Sequence, residues 1–209
     1  MTRLAILDLD GTLLDTLDDL AASVNMALAA VGRPPRARSE IERFVGEGAR
    51  TLLARAVAPR HELLEPALAA WWTDYRANCL VRTRPYPGIP ELLNRSGRRL
   101  AVHTNKPGEL ARQILAGLGL LDRFALVTGG DQGPRKPDPA GSLAMMRRLG
   151  ARAADTVFVG DSPTDVRTAR AAGVTLVGVS WGFRPEAELR AAGAVHVVDS
   201  VAGLAPWLA

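Results

Sequence analysis

Residues 8–16 read DLDGTLLDT and follow an unbroken apolar run of Leu4, Ala5, Ile6 and Leu7. Asp8 and Asp10 stand two apart, so while the chain stays extended their side chains share one side. Three later stretches carry similar residues. Thr104-Asn105-Lys106-Pro107 follows the apolar run 100–103, and Asp131 and Lys136 lie in GGDQGPRKPDP after 125–128. Gly160-Asp161-Ser162-Pro163-Thr164-Asp165 follows TVFV at 156–159. Gathered on one rim, they bring carboxylates, two lysines and several hydroxyls together. Clustered carboxylates repel and call for a cation. Oxygen ligands suit Mg²⁺, which typically takes one or two carboxylates plus water and phosphate oxygens. The lysines and the Thr104 hydroxyl can hold those same oxygens. Carboxylates, a divalent ion and fixed positive donors make a phosphoryl-transfer site.

Each stretch alone also reads as ordinary local structure. Asp10-Gly11-Thr12 suits a turn, Asp161-Ser162-Pro163 a helix cap, Thr104-Asn105 another cap and Lys136-Pro137 a solvated loop. The functional reading rests on all four occurring in order, each after a strand.

The elements that would position them alternate. Apolar runs predict strands over 100–103, 125–128, 156–159, 174–179 and 195–198, after the first one at 4–7. Helical patterns fill 109–118, 140–149, 164–172 and 186–192, and Gly119, Gly150, Gly173 and Gly193 close them. This alternation, with near-continuous apolar strands, predicts an α/β fold: a parallel sheet with helices on both faces. Ligands of such sheets bind outside the carboxyl ends of the strands, where the four stretches fall. Residues 16–84 differ. They read as helices over 17–31, near Glu40, over 49–57 and over 63–80, inserted after the first strand. Arg84-Pro85-Tyr86-Pro87-Gly88 reads as a hinge.

The 209 residues are 47% hydrophobic, enough for a core without covalent staples. Cys79 is the lone cysteine, which excludes an internal disulfide and predicts a small buried side chain in a cytoplasmic protein. The start of the chain lacks signal-peptide features, and no apolar stretch nears the roughly 20 residues of a membrane span. A net charge of +4 raises nucleic acid as a partner. The arginines, however, are scattered over every predicted helix without a block of like charge, so neither nucleic acid nor membrane is expected. His61, His103 and His196 are isolated, which argues against a zinc cluster. Trp71, Trp72, Trp181 and Trp207 read as packing, and Gly129-Gly130 as a turn. Nucleophile-elbow and Walker motifs are absent.

DLDGTLLDT at 8–16, TNKP at 104–107, RKPDP at 135–139 and GDSPTD at 160–165 resemble, in order, the four motifs of the haloacid dehalogenase superfamily. That resemblance implies a Rossmann-like core of residues 1–15 and 85–209, with 16–84 as a helical cap. It implies Asp8 as nucleophile, forming an aspartyl-phosphate, and Asp10 as general acid and then base. Asp8, the Asp10 carbonyl and Asp161 would hold Mg²⁺, with Asp165 supporting them. Gly11, Thr12, Thr104 and Asn105 would meet the phosphoryl group, and Lys136 would neutralise charge. Lys106 matches the family's wording without an assigned role, and a solvent-facing place near the cap suits it.

Within the superfamily, Asp10 argues against a dehalogenase, and the lack of lysine in 16–84 argues against a phosphonatase. VGEGARTLL at 45–53, YRANCLVRTRPYPGIPELL at 75–93 and VSWGFRPEAEL at 179–189 are most similar to the phosphoglycolate phosphatase branch. This implies a Mg²⁺-dependent phosphatase for a small phosphomonoester, 2-phosphoglycolate, with Arg50 meeting its carboxylate from the cap. A β-phosphoglucomutase-like mutase and a phosphatase for another small metabolite are the alternatives. The partner is thus a small phosphorylated metabolite, and the chain is a monomer or homodimer.

Overall fold

The computed structural model describes residues 3–209; Met1 and Thr2, at the head of the expected 1–15 core segment, lie outside the described residues. Six strands form one parallel sheet: β1 (Leu4–Leu7), β4 (Arg99–His103), β5 (Phe124–Thr128), β6 (Thr156–Gly160), β7 (Thr175–Val179) and β8 (His196–Val198). Their order is β5-β4-β1-β6-β7-β8. Residues of β1 alternate between two cores: Leu4 and Ile6 face one, Ala5 and Leu7 the other. Both faces are therefore buried, which is why β1 is apolar at every position.

Helices α7 (Ala140–Leu149) and α8 (Pro163–Ala172) cover one face with Met145, Met146, Leu149 and Ala169. Helices α5 (Ile89–Arg95), α6 (Gly108–Gly117) and α10 (Val201–Leu208) cover the other with Ile89, Leu93, Ile114 and Leu204. Helix α9 (Glu186–Ala191) sets Leu189 against Val166 of α8. The chain leaves β1 for β4 on one side and later places β6 on the other. Such a switch point opens a crevice at the strand ends, and Asp8 follows β1 there.

Between β1 and β4 come α1 (Leu17–Ala30), α2 (Arg38–Phe44), α3 (Ala49–Val57) and α4 (Leu64–Asn78). The chain enters and leaves this helical segment through a two-stranded ribbon, β2 (Leu14–Asp15) antiparallel to β3 (Arg84–Pro85). Asp19 fastens the ribbon to α1: its buried carboxylate accepts the backbone N–H groups of Arg82 and Thr83 and the Thr83 hydroxyl, the last two at 2.8 Å. Within the expected hinge at 84–88, Arg84 and Pro85 pair with β2 and the Tyr86 N–H donates to the Leu13 carbonyl, and a short turn then leads into α5.

The helical segment is docked on the sheet domain from several sides. Apolar residues of α1 and α4, including Val24, Leu28 and Trp71, belong to the same cluster as Leu7, Val102 and Ile114. The Asn105 amide donates to the Gly46 carbonyl at 2.9 Å, and Arg76 pairs with Glu109. Arg184 donates to the carbonyls of Glu42 and Val45 at the end of α2, where a cation meets the negative pole of a helix. Among the described residues, no helix is long and apolar enough to cross a membrane.

Candidate active site

The first loop is built around Asp8. Its backbone N–H donates to the Val159 carbonyl at 2.9 Å, so the carboxylate sits against the neighbouring strand end. Gly11 then turns the chain at a φ of +80°, and a Cβ there would run into the Asp161 carboxylate. Only glycine meets both demands. The next residue, Thr12, is buried and gives its hydroxyl proton to Asp161 Oδ1 at 2.9 Å, while the Phe183 N–H takes Oδ2 at 2.8 Å. Thr12 thus orients Asp161 through its side chain.

Lys136 reaches Asp8 although its loop follows β5, the edge strand. Asn105 draws it in: the side-chain carbonyl accepts the Lys136 N–H at 2.9 Å and the side-chain amide donates to the Lys136 carbonyl at 3.0 Å. The Lys136 ammonium then lies 2.8 Å from Asp8 Oδ1 and 2.7 Å from Asp165 Oδ1, its side chain 1% exposed. Asp165 Oδ2 accepts from the N–H and hydroxyl of Ser162, which caps α8 in return. On Asp8, both Leu9 N–H and Lys136 fall on Oδ1. Oδ2 has no hydrogen-bond partner among the described residues.

Asp8, Asp161 and Asp165 present carboxylate oxygens within 4.8 Å of one another, all three buried. One ammonium faces three carboxylates. Burial pushes Asp8 up to about 7, against the pull of Lys136 and with the repulsion of Asp165 and Asp161 adding to it. Burial likewise lifts Asp161 to about 6, and Asp165 adds to the rise. Burial also works against the charge on Lys136, but Asp165 and Asp8 outweigh it and raise its pKa. A divalent cation fits this set: the donors are all hard oxygens, and its charge offsets what Lys136 leaves uncompensated.

Asp10 faces the same crevice with different company. The Thr16 hydroxyl donates to its Oδ1 at 2.7 Å, and the Lys106 ammonium stands 3.0 and 3.2 Å from its two oxygens. Lys106 also donates to the Tyr75 hydroxyl of α4 at 2.8 Å. Its side chain is only 3% exposed, so the expected solvent-facing lysine is instead buried beneath the helical segment. Asp8, Asp10, Thr104 and Lys106 line one cavity of about 40 Å³ with Gly46 and Trp71 from above. Thr104 accepts the Lys106 N–H on its oxygen and keeps its own proton to give.

Arg50 does not line this cavity. Its guanidinium pairs with Glu65 on the surface, exposed on both sides, because α3 turns Gly48 and Ala49 toward the cavity and the next residue away. The Asn105 side chain is likewise spent, on Lys136 and Gly46. Asp131 stays outside the cluster and accepts the Gly108 N–H at the head of α6. His103 is buried against Ser142 and lowered to about 3 by burial, with Lys136 adding, so it remains neutral. Thr16, Tyr75, Trp71 and Phe183 were not legible as site residues. Thr16 closes the first motif and could have been read there; the other three are brought in only by packing across the chain.

A family model described as haloacid dehalogenase-like hydrolase matches residues 5–179. The chain belongs to the haloacid dehalogenase-like hydrolases. It is 41% identical to a phosphoglycolate phosphatase of Rhodospirillum rubrum, over all of this chain and 91% of that one. It is 40% identical to a phosphoglycolate phosphatase of Agrobacterium fabrum, over all of this chain and 93% of that one. A crystal structure described as a predicted phosphoglycolate phosphatase from Haemophilus somnus matches with a TM-score of 0.92 at 30% identity, covering 99% of this chain and 97% of that one.

Proposed function

We propose that this hydrolase is a Mg²⁺-dependent phosphatase that cleaves 2-phosphoglycolate through an aspartyl-phosphate on Asp8. The observation that carries the reading is the condition of Asp8: buried, gripped on Oδ1 by Leu9 N–H and Lys136, with Oδ2 unpaired beside a cavity. A carboxylate held by one oxygen is oriented to use the other as a nucleophile. In the first step Oδ2 attacks phosphorus, the ester P–O bond breaks, and Asp10 passes its proton to the leaving oxygen. In the second, Asp10 takes a proton from water as the water oxygen attacks phosphorus, which releases phosphate and restores Asp8. Lys136, the Thr104 hydroxyl and the backbone N–H of Asn105 meet the phosphoryl oxygens; the expected contacts from Gly11 and Thr12 are not available, because their N–H groups donate to the carbonyls of Leu14 and Leu9 in the turn. Asp8, Asp161 and the Asp10 carbonyl would hold Mg²⁺, supported by Asp165. The ion would supply positive charge to the phosphoryl oxygens and the buried carboxylates.

The choice of substrate is supported by the names of the relatives at 41% and 40% identity and by the small cavity. In this reading residues 16–84 are the cap and 1–15 with 85–209 the catalytic core. Every named group comes from one chain, so a monomer suffices and a homodimer is compatible. A small-metabolite substrate and the single buried Cys79 suit a cytoplasmic enzyme.

The test is phosphate release from 2-phosphoglycolate, sugar phosphates, nucleotides and pyrophosphate, with and without Mg²⁺. Mg²⁺-dependent release with 2-phosphoglycolate preferred is the expected result. Equal release without any divalent ion, or preference for a sugar phosphate, overturns the corresponding part.

A further inference from the structure

With Arg50 turned to the surface, the acid end of a substrate needs another partner. Two residues that line the cavity carry donors that the hydrolysis leaves unused. Lys106 is one of only two lysines in the chain, and it is buried with its ammonium between Asp10 and Tyr75. Trp71 lines the same cavity from α4. Its indole nitrogen is buried with no hydrogen-bond partner among the described residues. A buried N–H without an acceptor is a standing cost, and such groups call for an explanation. Trp71 is held firmly there: 1% exposed, stacked on Tyr75 at 4.9 Å, while the Tyr75 ring also lies 4.7 Å from the Lys106 ammonium. The rest of this end is apolar, with Leu20 and Leu52 among its walls.

We propose that Lys106 and Trp71 form the subsite that selects a carboxylate on the alcohol portion of the substrate. The proposal rests on the phosphatase reading above and names what chooses its substrate. In the free protein Asp10 supplies the negative charge that Lys106 requires. A bound carboxylate supplies it instead and accepts the Trp71 N–H. A substrate without the acid leaves the Trp71 N–H unpaired and gains nothing from Lys106, so it is penalised.

The test compares kcat/KM for 2-phosphoglycolate with that for ethyl phosphate, which keeps the two carbons and the phosphate but replaces the carboxylate by a methyl group. Wild type, Lys106→Met and Trp71→Phe are measured with saturating Mg²⁺, with circular dichroism as the check on folding. Loss of a charged partner is expected to lower the preference for the acid roughly tenfold to a hundredfold in Lys106→Met. Trp71→Phe, which keeps the stacked ring and removes only the N–H, is expected to lower it roughly threefold to tenfold. Lys106→Gln stands in if the methionine variant does not fold. A parallel loss on both substrates, leaving the ratio unchanged, overturns the assignment of the residue changed. Wild type that handles ethyl phosphate as well as 2-phosphoglycolate is a different failure: it overturns the substrate reading itself.

Discussion

Asp8 and Asp10 are chemically identical residues two positions apart, and their neighbours divide the work between them. Asp8 shares Lys136 with Asp165 and stands beside Asp161, whereas Asp10 is tied to Thr16 and Lys106. Asp8→Asn should keep the hydrogen bond from Leu9 and the fold but lose the proposed nucleophile, so turnover should fall by a factor on the order of 10⁴ or more. Phosphate release beside a circular dichroism spectrum checks this, and substantial turnover in a folded variant would dismiss Asp8 as nucleophile. The raised pKa values give a second expectation. Asp8 at about 7 and Asp161 at about 6 hold protons in the folded state where the unfolded chain, near 3.8, has released them. Without a metal, this pair should therefore make stability fall as pH rises from about 4 to 7. In the proposed reading Mg²⁺ would bind the deprotonated forms, so a rise in Tm on adding it should be larger at pH 7.5 than at pH 5. Equal rises in thermal melts at the two pH values would contradict the account.

At the scale of elements, the ribbon of β2 and β3 and the grip of Asp19 decide how the helical segment is held. Asp19 satisfies three donors from two residues beyond α4. Asp19→Ala leaves the buried N–H and hydroxyl of Thr83 and the part-buried N–H of Arg82, just before β3, unpaired and should cost about 2–4 kcal/mol. A urea titration reads this as a lower midpoint; a variant with an unchanged midpoint would mean that water replaces the carboxylate without loss. The strands were legible as short apolar runs and most helices by their 3.6-residue period. Helices α3 and α7 begin and end where the pattern placed them, at 49–57 and 140–149. Helix α5 was hidden behind the proline and glycine of 85–90, although Pro90 sits where a helix start tolerates it. Helix α10 was hidden by Pro206 within it. The ribbon has only two residues in each strand, which is too short for any periodicity.

Across the whole molecule, one apolar cluster runs from Trp71 and Val24 in the helical segment to Leu7 and Ile114 beneath the sheet. Two bodies sharing a core should not melt separately. Unfolding followed by far-ultraviolet circular dichroism and by tryptophan fluorescence should therefore give coincident transitions. Trp71 and Trp72 report on the helical segment and Trp181 and Trp207 on the rest. Two separated transitions would show that the shared cluster contributes little to holding the parts together. Several surface arginines are paired with carboxylates, such as Arg38 with Asp18 and Arg190 with Glu186. Exposed pairs of this kind contribute little to stability.

The sequence by itself determined the alternation of strands and helices, the position of the helical segment, and the four loops whose residues meet at the strand ends. These are local properties: an apolar run, a proline at a helix start, or two carboxylates one residue apart is written in consecutive positions. Only the tertiary structure decided that Arg50 turns outward to Glu65, that Asn105 is spent on fastening Lys136, and that Lys106 lies buried between Asp10 and Tyr75. Those outcomes depend on which side chains meet across 15 to 96 positions of chain. No local pattern encodes such meetings, because they follow from how the helices dock on the sheet.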